Sequence, residues 1–162
     1  MKDNKEILDV CCGGKMMYFN KNHPEVLFCD IREEEKGFIN GAEWYSVKPD
    51  KICDFRNLPF KDKSFNMVVF DPPHIVTNCK SGILVKKFGS LNKETWQYDL
   101  KKGFNECWRV LKDNGTLIFK FAETKNIPFR EILKVIDREP LFGTKNASTK
   151  NSETRFFVFY KQ

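Results

Sequence analysis

Short apolar runs recur along this chain with longer mixed segments between them, and that alternation restricts it to an α/β domain with a mostly parallel sheet. Ile7-Leu8-Asp9-Val10-Cys11 reads as a first strand and Glu25 to Asp30 as a second. Lys51-Ile52-Cys53 is a shorter third. Phe65-Asn66-Met67-Val68-Val69-Phe70 is the clearest strand, because it is apolar, β-branched and stopped abruptly by Asp71-Pro72-Pro73. From Trp96 to Leu111 the apolar residues fall at helical spacing, and Asn114-Gly115 follows as a helix stop. Thr116 to Phe121 predicts a fifth strand, about Pro128 to Ile136 a second helix, and Arg155 to Tyr160 a closing strand. With 162 residues, 41% of them hydrophobic, the chain can bury one core and is read as a single domain over 1–162.

No apolar run approaches the roughly 20 residues needed to cross a bilayer, and Met1 to Glu6 has no stretch of signal-peptide length. A cytoplasmic protein with no membrane partner is expected. The cysteines Cys11, Cys12, Cys29, Cys53, Cys79 and Cys107 contain no C-x-x-C pair, so they read as reduced thiols acting as small hydrophobes, and no metal is expected. The net charge of +6 suits polyanionic partners through phosphate neutralisation, although many basic proteins bind no nucleic acid.

In an open α/β sheet, ligands sit beyond the carboxyl ends of the strands, so the loops after strands one to four matter most. The first is Asp9-Val10-Cys11-Cys12-Gly13-Gly14-Lys15, an acid ending a strand and then paired glycines before an expected helix. Taken alone, such glycines serve turn geometry equally well. Asp30, 21 residues after Asp9, ends the second strand where a carboxylate can accept hydrogen bonds from ribose hydroxyls. Asp54 follows the third strand and precedes Phe55, offering an acceptor and a ring for a flat heterocycle.

With these residues in this order, nearly the whole chain resembles the class I, Rossmann-like S-adenosylmethionine-dependent methyltransferases. The resemblance implies a central sheet of about seven strands flanked by helices, with S-adenosylmethionine as cofactor. It also implies that Asp9, Cys11, Cys12, Gly13 and Gly14 surround the amino-acid portion of that cofactor, Asp30 with Ile31 its ribose, and Asp54 with Phe55 its adenine. The first loop departs from the usual acid-x-Gly-x-Gly pattern, with Cys11 at the first glycine position and Lys15 at the third.

The most specific feature is Asp71-Pro72-Pro73-His74 directly after the fourth strand, similar to the (Asp/Asn/Ser)-Pro-Pro-(Tyr/Phe/Trp) motif of amino-methyltransferases. An exocyclic amine on a base is a poor nucleophile because its lone pair is delocalised into the ring. Hydrogen bonds from that amine to the Asp71 carboxylate and the Pro72 carbonyl restore the lone pair, and the proline pair fixes the carbonyl's direction. The resemblance assigns His74 to stacking on a base rotated out of its helix. Histidine stacks less extensively than tyrosine and is open to protonation near pH 6. Read without the resemblance, Asp-Pro-Pro also serves simply to end a strand.

Between His74 and Asp99, Lys80, Lys86, Lys87 and Lys93 are interleaved with Phe88 and Trp96. This segment reads either as a nucleic-acid clamp or as a solvated loop with Trp96 tucked into the core. The loop 143–154 adds Lys145 and Lys150, although a plain hairpin connection is the simpler reading. Enzymes of this resemblance with sequence-specific DNA targets usually carry a separate target-recognition domain, for which 162 residues leave no room. The expected activity is that of a phage-like DNA adenine-N6 methyltransferase of low sequence specificity, with DNA preferred over RNA. Ribosomal RNA bases, cytosine N4, small molecules or proteins, and a non-catalytic binding module remain alternatives.

Overall fold

The computed structural model describes residues 5–124, 126–144 and 152–162. Seven strands form one sheet: β1 (Ile7–Asp9), β2 (Val26–Asp30), β3 (Lys51–Ile52), β4 (Phe65–Phe70), β5 (Leu111–Thr124), β6 (Phe142–Gly143) and β7 (Ser152–Tyr160). Their spatial order is β3-β2-β1-β4-β5-β7-β6. The first five run parallel, whereas β7 pairs antiparallel with both β5 and β6, so the sheet is mixed. The order reverses between β1 and β4, which opens a crevice beyond their carboxyl ends.

Three helices are described: α1 (Ile83–Phe88), α2 (Trp96–Val110) and α3 (Phe129–Ile136). One core joins α2 and α3 to one face of the sheet. Alternate residues Leu117, Phe119 and Phe121 of β5 meet Phe157 and Phe159 of β7, Val68 and Phe70 of β4, and Leu100, Phe104 and Cys107 of α2. Phe119 lies at the middle, with its ring centroid 5.6 Å from Phe70 and 6.2 Å from Phe104. Beside this core runs a buried ion pair. Arg155 Nε donates to Glu123 Oε1 at 2.7 Å, while the Phe129 N–H at the start of α3 donates to Glu123 Oε2 at 2.9 Å. Both charges are thus matched at the junction of β5, β7 and α3.

Most expected elements are present, with three differences. No helix follows Gly14: residues 13–25 form turns. Gly13 and Lys15 adopt left-handed backbone with φ of 48° and 53°, and the side chains of Asn20 and His23 accept hydrogen bonds from the backbone N–H groups of Asn22 and Glu25. Such local bonds compete with helix formation. Turns likewise span 31–50, where Ile39, Ala42, Tyr45 and Val47 make a small core of their own. As a result the main core's two helices cover one sheet face, instead of helices flanking both. The last difference is α1 with β6, two short elements inside stretches that read as polar loop and connection. Among the described residues no helix is long and apolar enough to cross a membrane. All six cysteines are free thiols, with Cys12, Cys29, Cys53 and Cys107 buried, Cys11 half-buried and Cys79 exposed.

Phe119→Ala removes the ring that four other aromatics surround, and is expected to lower the unfolding free energy by about 3–5 kcal/mol in urea titrations.

Candidate active site

Parallel strands end together, and the loops that leave their carboxyl ends line a cleft of about 640 Å³. Cys11, Cys12, Gly13 and Gly14 of the first loop, Asp30 and Ile31 after β2, Asp54 and Phe55 after β3, and Asp71-Pro72-Pro73-His74 after β4 all face it. Residues read from four separate stretches of sequence are therefore brought to one place. Asp9 is the exception. It is completely buried behind the first loop, where its Oδ1 accepts the Cys11 N–H at 3.1 Å and its Oδ2 has no hydrogen-bond partner. Burial pushes the Asp9 carboxyl up to about 7, with Asp71 and Asp30 adding repulsion against the Cys11 N–H and the nearby Tyr18 hydroxyl.

Each acid at the cleft meets donors from the protein. Asp30 Oδ2 accepts the Gly13 N–H at 2.9 Å, while its Oδ1 accepts the Arg32 N–H at 3.0 Å and Arg32 Nε at 3.3 Å. Asp54 is gripped the same way by the second residue after it: Arg56 Nη2 donates to Asp54 Oδ2 at 2.7 Å, and this guanidinium holds the carboxyl below its ordinary range. Arg56 Nη1 also reaches Asp99 Oδ1 at 3.1 Å, and the Thr95 hydroxyl donates to Asp99 Oδ2 at 2.7 Å. Asp71 pairs through Oδ2 with the ammonium of Lys120 from β5. Burial raises the Asp71 carboxyl, and the Lys120 charge with its hydrogen bond, then His74, oppose that rise.

Residues 75–91 form a strap over the cleft. Thr77 N–H donates to the Leu91 carbonyl at 3.0 Å and Leu91 N–H to the Ile75 carbonyl at 2.8 Å, closing its base. Helix α1 within the strap buries no residue fully. Two side chains bond to its carbonyls. Arg32 Nη1 donates to the Lys86 carbonyl at 2.8 Å, and the Tyr45 hydroxyl donates to the Lys87 carbonyl at 2.8 Å while accepting the Gly14 N–H at 2.9 Å. A Cβ on Gly14 would lie 2.4 Å from the Tyr45 ring, so only glycine permits this approach. Lys87 Nζ sits 4.9 Å from the Trp44 ring centroid and 5.3 Å from that of Phe88. His74 faces Phe88 with centroids 5.8 Å apart, and burial pushes its imidazole below the ordinary histidine range. The ring is accordingly neutral near pH 7.

The other basic residues singled out from the sequence are dispersed. Lys87 lines the cleft, whereas Lys80, Lys86 and Lys93 are exposed around the strap. Trp96 packs half-buried against the main core. Lys145 and Lys150 lie outside the described residues. No group of three or more His, Cys, Asp or Glu side chains among the described residues is arranged to hold a metal ion. Arg32, Tyr45, Arg56, Asp99 and Lys120 were not foreseen. The repeated Asp-x-Arg spacing, Asp30-Ile31-Arg32 and Asp54-Phe55-Arg56, was the available signal for two of them.

Comparison with known proteins bears on the fold. No family model matches the chain. An uncharacterized protein of Methanocaldococcus jannaschii is 30% identical over 155 residues, covering 95% of this chain and 51% of the relative, so the chain spans about half its length. A solved S-adenosylmethionine-dependent methyltransferase from Methanosarcina mazei superposes with a TM-score of 0.55 at 16% identity, covering 99% of this chain and 94% of that one. A geranyl diphosphate methyltransferase solved with S-adenosylmethionine gives 0.58 at 11% identity, covering 100% of this chain and 80% of the other. The fold is that of the Rossmann-like S-adenosylmethionine-dependent methyltransferases. The Asp-Pro-Pro-His segment sits at the carboxyl end of a central strand of this sheet.

Asp9 provides a pH test of the apo protein. Unfolded, its carboxyl ionises near 3.9, while in the folded state it keeps its proton up to about pH 7. Its contribution to stability is thus unpenalised below about pH 4 and becomes increasingly unfavourable between about pH 4 and 7, at up to about 1.4 kcal/mol per pH unit. Asp9→Asn is expected to match the wild type in denaturant titrations near pH 4 and to exceed it in stability near pH 8.

Proposed function

We propose that this protein transfers a methyl group from S-adenosylmethionine to the exocyclic amino group of a nucleic-acid base, N6 of adenine in DNA, with little sequence preference. The observation that supports this reading most is the placement of Asp71-Pro72-Pro73-His74, whose four residues all line the cleft next to the glycine loop. We assign the domain 1–162 to that one activity.

The residues present suit the cofactor. The cleft volume falls in the range of small-molecule sites, and the buried Asp9 Oδ2 lacks a partner behind the loop that would receive the cofactor's amino-acid end. Asp30 retains acceptor capacity for ribose hydroxyls beside Arg32, and the Phe55 ring with Asp54 suits an adenine. When bound, S-adenosylmethionine supplies a methyl group activated by its sulfonium charge. The protein's own part is positioning. Asp71 and the Pro72 carbonyl accept the two amine hydrogens, which turns the nitrogen lone pair toward the cofactor side of the cleft. Neutral His74, backed by Phe88, offers a flat apolar face to the base without adding charge. Formation of the N–CH3 bond would break the S–CH3 bond, whose electron pair would stay on sulfur to leave a neutral thioether, and the methylated nitrogen would release one proton to solvent. The net charge of +6 and the exposed lysines around the strap suit phosphates near the mouth.

Incubation of the protein with deuterium-labelled S-adenosylmethionine and either unmethylated DNA or RNA, followed by nucleoside mass spectrometry, is expected to give labelled N6-methyladenine from DNA. Label found only in RNA or on cytosine would move the acceptor, and no label in either would overturn the nucleic-acid reading. Asp71→Ala is expected to abolish transfer while calorimetry still detects cofactor binding, whereas Asp30→Ala should weaken the cofactor first, by about tenfold or more given its loss of a charge-assisted acceptor.

A further inference from the structure

We propose that Lys120 is a positioning residue that occupies Oδ2 of Asp71, so that Oδ1 alone receives the acceptor and the site takes a neutral amino group in preference to an ammonium or guanidinium. This rests on the methyl-transfer reading of the cleft and narrows its substrate class. The pairing follows from sheet register. Val69 of β4 lies opposite Ile118 of β5 and Phe70 opposite Phe119, so one step further along the same parallel pair Asp71 meets Lys120. Both side chains lie on the sheet face away from α2 and reach the same cleft. Among the described residues Lys120 is the one side chain bonded to Asp71, and it contacts only Oδ2.

A lone buried carboxylate would attract any cationic amine, including a lysine or arginine side chain. With the Lys120 ammonium already against it, the pair has no net charge, and a second cation gains little while losing its hydration. A base amino group is neutral and needs an acceptor rather than a counter-charge. Lys120 also keeps Asp71 in its accepting form, because the surroundings otherwise favour protonation. Facing Asp71 are His74 on its own segment, Asp9 and Cys11 at the end of β1, and Tyr18 in the loop beyond, none of which supplies a permanent positive charge.

The test follows the Asp71 carboxyl carbon by NMR in protein labelled with 13C-aspartate, assigned by its loss in Asp71→Asn, and needs no turnover. In Lys120→Met the titration midpoint of Asp71 is expected to rise by about one pH unit or more, while Lys120→Arg keeps it within about half a unit of wild type. At a pH above the Asp71 midpoint measured in each protein, n-butylammonium should perturb that resonance about tenfold more tightly in Lys120→Met than in wild type. In DNA methylation, Lys120→Met should lose kcat at neutral pH with KM little changed and recover part of it near pH 9; a purely structural lysine would give a loss independent of pH. An unmoved midpoint, or equal binding of n-butylammonium, overturns the proposal. If the wild type methylates no nucleic acid, the function above fails, and the NMR titrations still decide whether Lys120 holds Asp71.

Discussion

The parallel register of β1, β4 and β5 is the constraint on which the site depends. Asp9 pairs with Val69, and Val69 with Ile118, so side chains two residues further along β4 and β5 emerge beside each other at the sheet's carboxyl edge. A shift of one residue would send Asp71 into the Phe70–Phe119 core and Phe70 into the cleft. Register, in turn, is fixed by burial. Val68, Phe70, Leu117, Phe119 and Phe121 must all meet α2 and α3, and at about 1.5–3 kcal/mol for each large side chain, no alternative register competes. Helix packing on one face therefore determines which polar groups meet on the other.

Four carboxylates crowd the end of this sheet, and they are managed in three ways. Asp30 and Asp54 have an arginine two residues later that folds back on them, Asp71 has a lysine from the neighbouring strand, and Asp9 has no cation. The difference follows burial and purpose. Arg32 and Arg56 stand at the rim, partly in water, where each pairs with its acid without occupying every acceptor position. Asp9 lies fully inside and its charge is costly there, which is why its proton stays on until about pH 7. A positive charge brought to the first loop would lower that cost.

How much of this could be read from residues alone depended on whether the cause was local. Strand β4 and the Asp-Pro-Pro stop declare themselves within a few residues, as does the 3.6-residue spacing of Leu100, Phe104 and Cys107 in α2. The acids ending β1, β2 and β3 were likewise visible as positions, and of the four strand-end groups of expected site residues three line the cleft in full, whereas of the expected basic residues only Lys87 does so among the described residues. Asp9 lies behind the first loop instead of lining the cleft, because sequence order shows that an acid ends a strand but not which way its side chain is turned. The helix expected after Gly14 failed for a local reason as well, the turn-forming Asn20, Asn22 and Pro24 outweighing the Met16-Met17-Tyr18 run. Tyr45 and Lys120 were beyond reach. Tyr45 meets Gly14 and Lys87, 31 and 42 residues away, and Lys120 meets Asp71 across 49.

With turns in place of helices between β1 and β3, the loops themselves have to do the shaping. Tyr45 is buried in its own small cluster yet directs its hydroxyl to both the glycine loop and the strap, and Arg32 joins the Asp30 carboxylate to the strap's other carbonyl. Helix α1 has no fully buried side chain, so these backbone carbonyls help to fix its height above the cleft. The groups that shape the glycine-loop half of the cleft are thus the same ones that carry Phe88 toward His74 on the other half. Geometry at one half is transmitted to the other through two hydrogen bonds rather than through a packed layer.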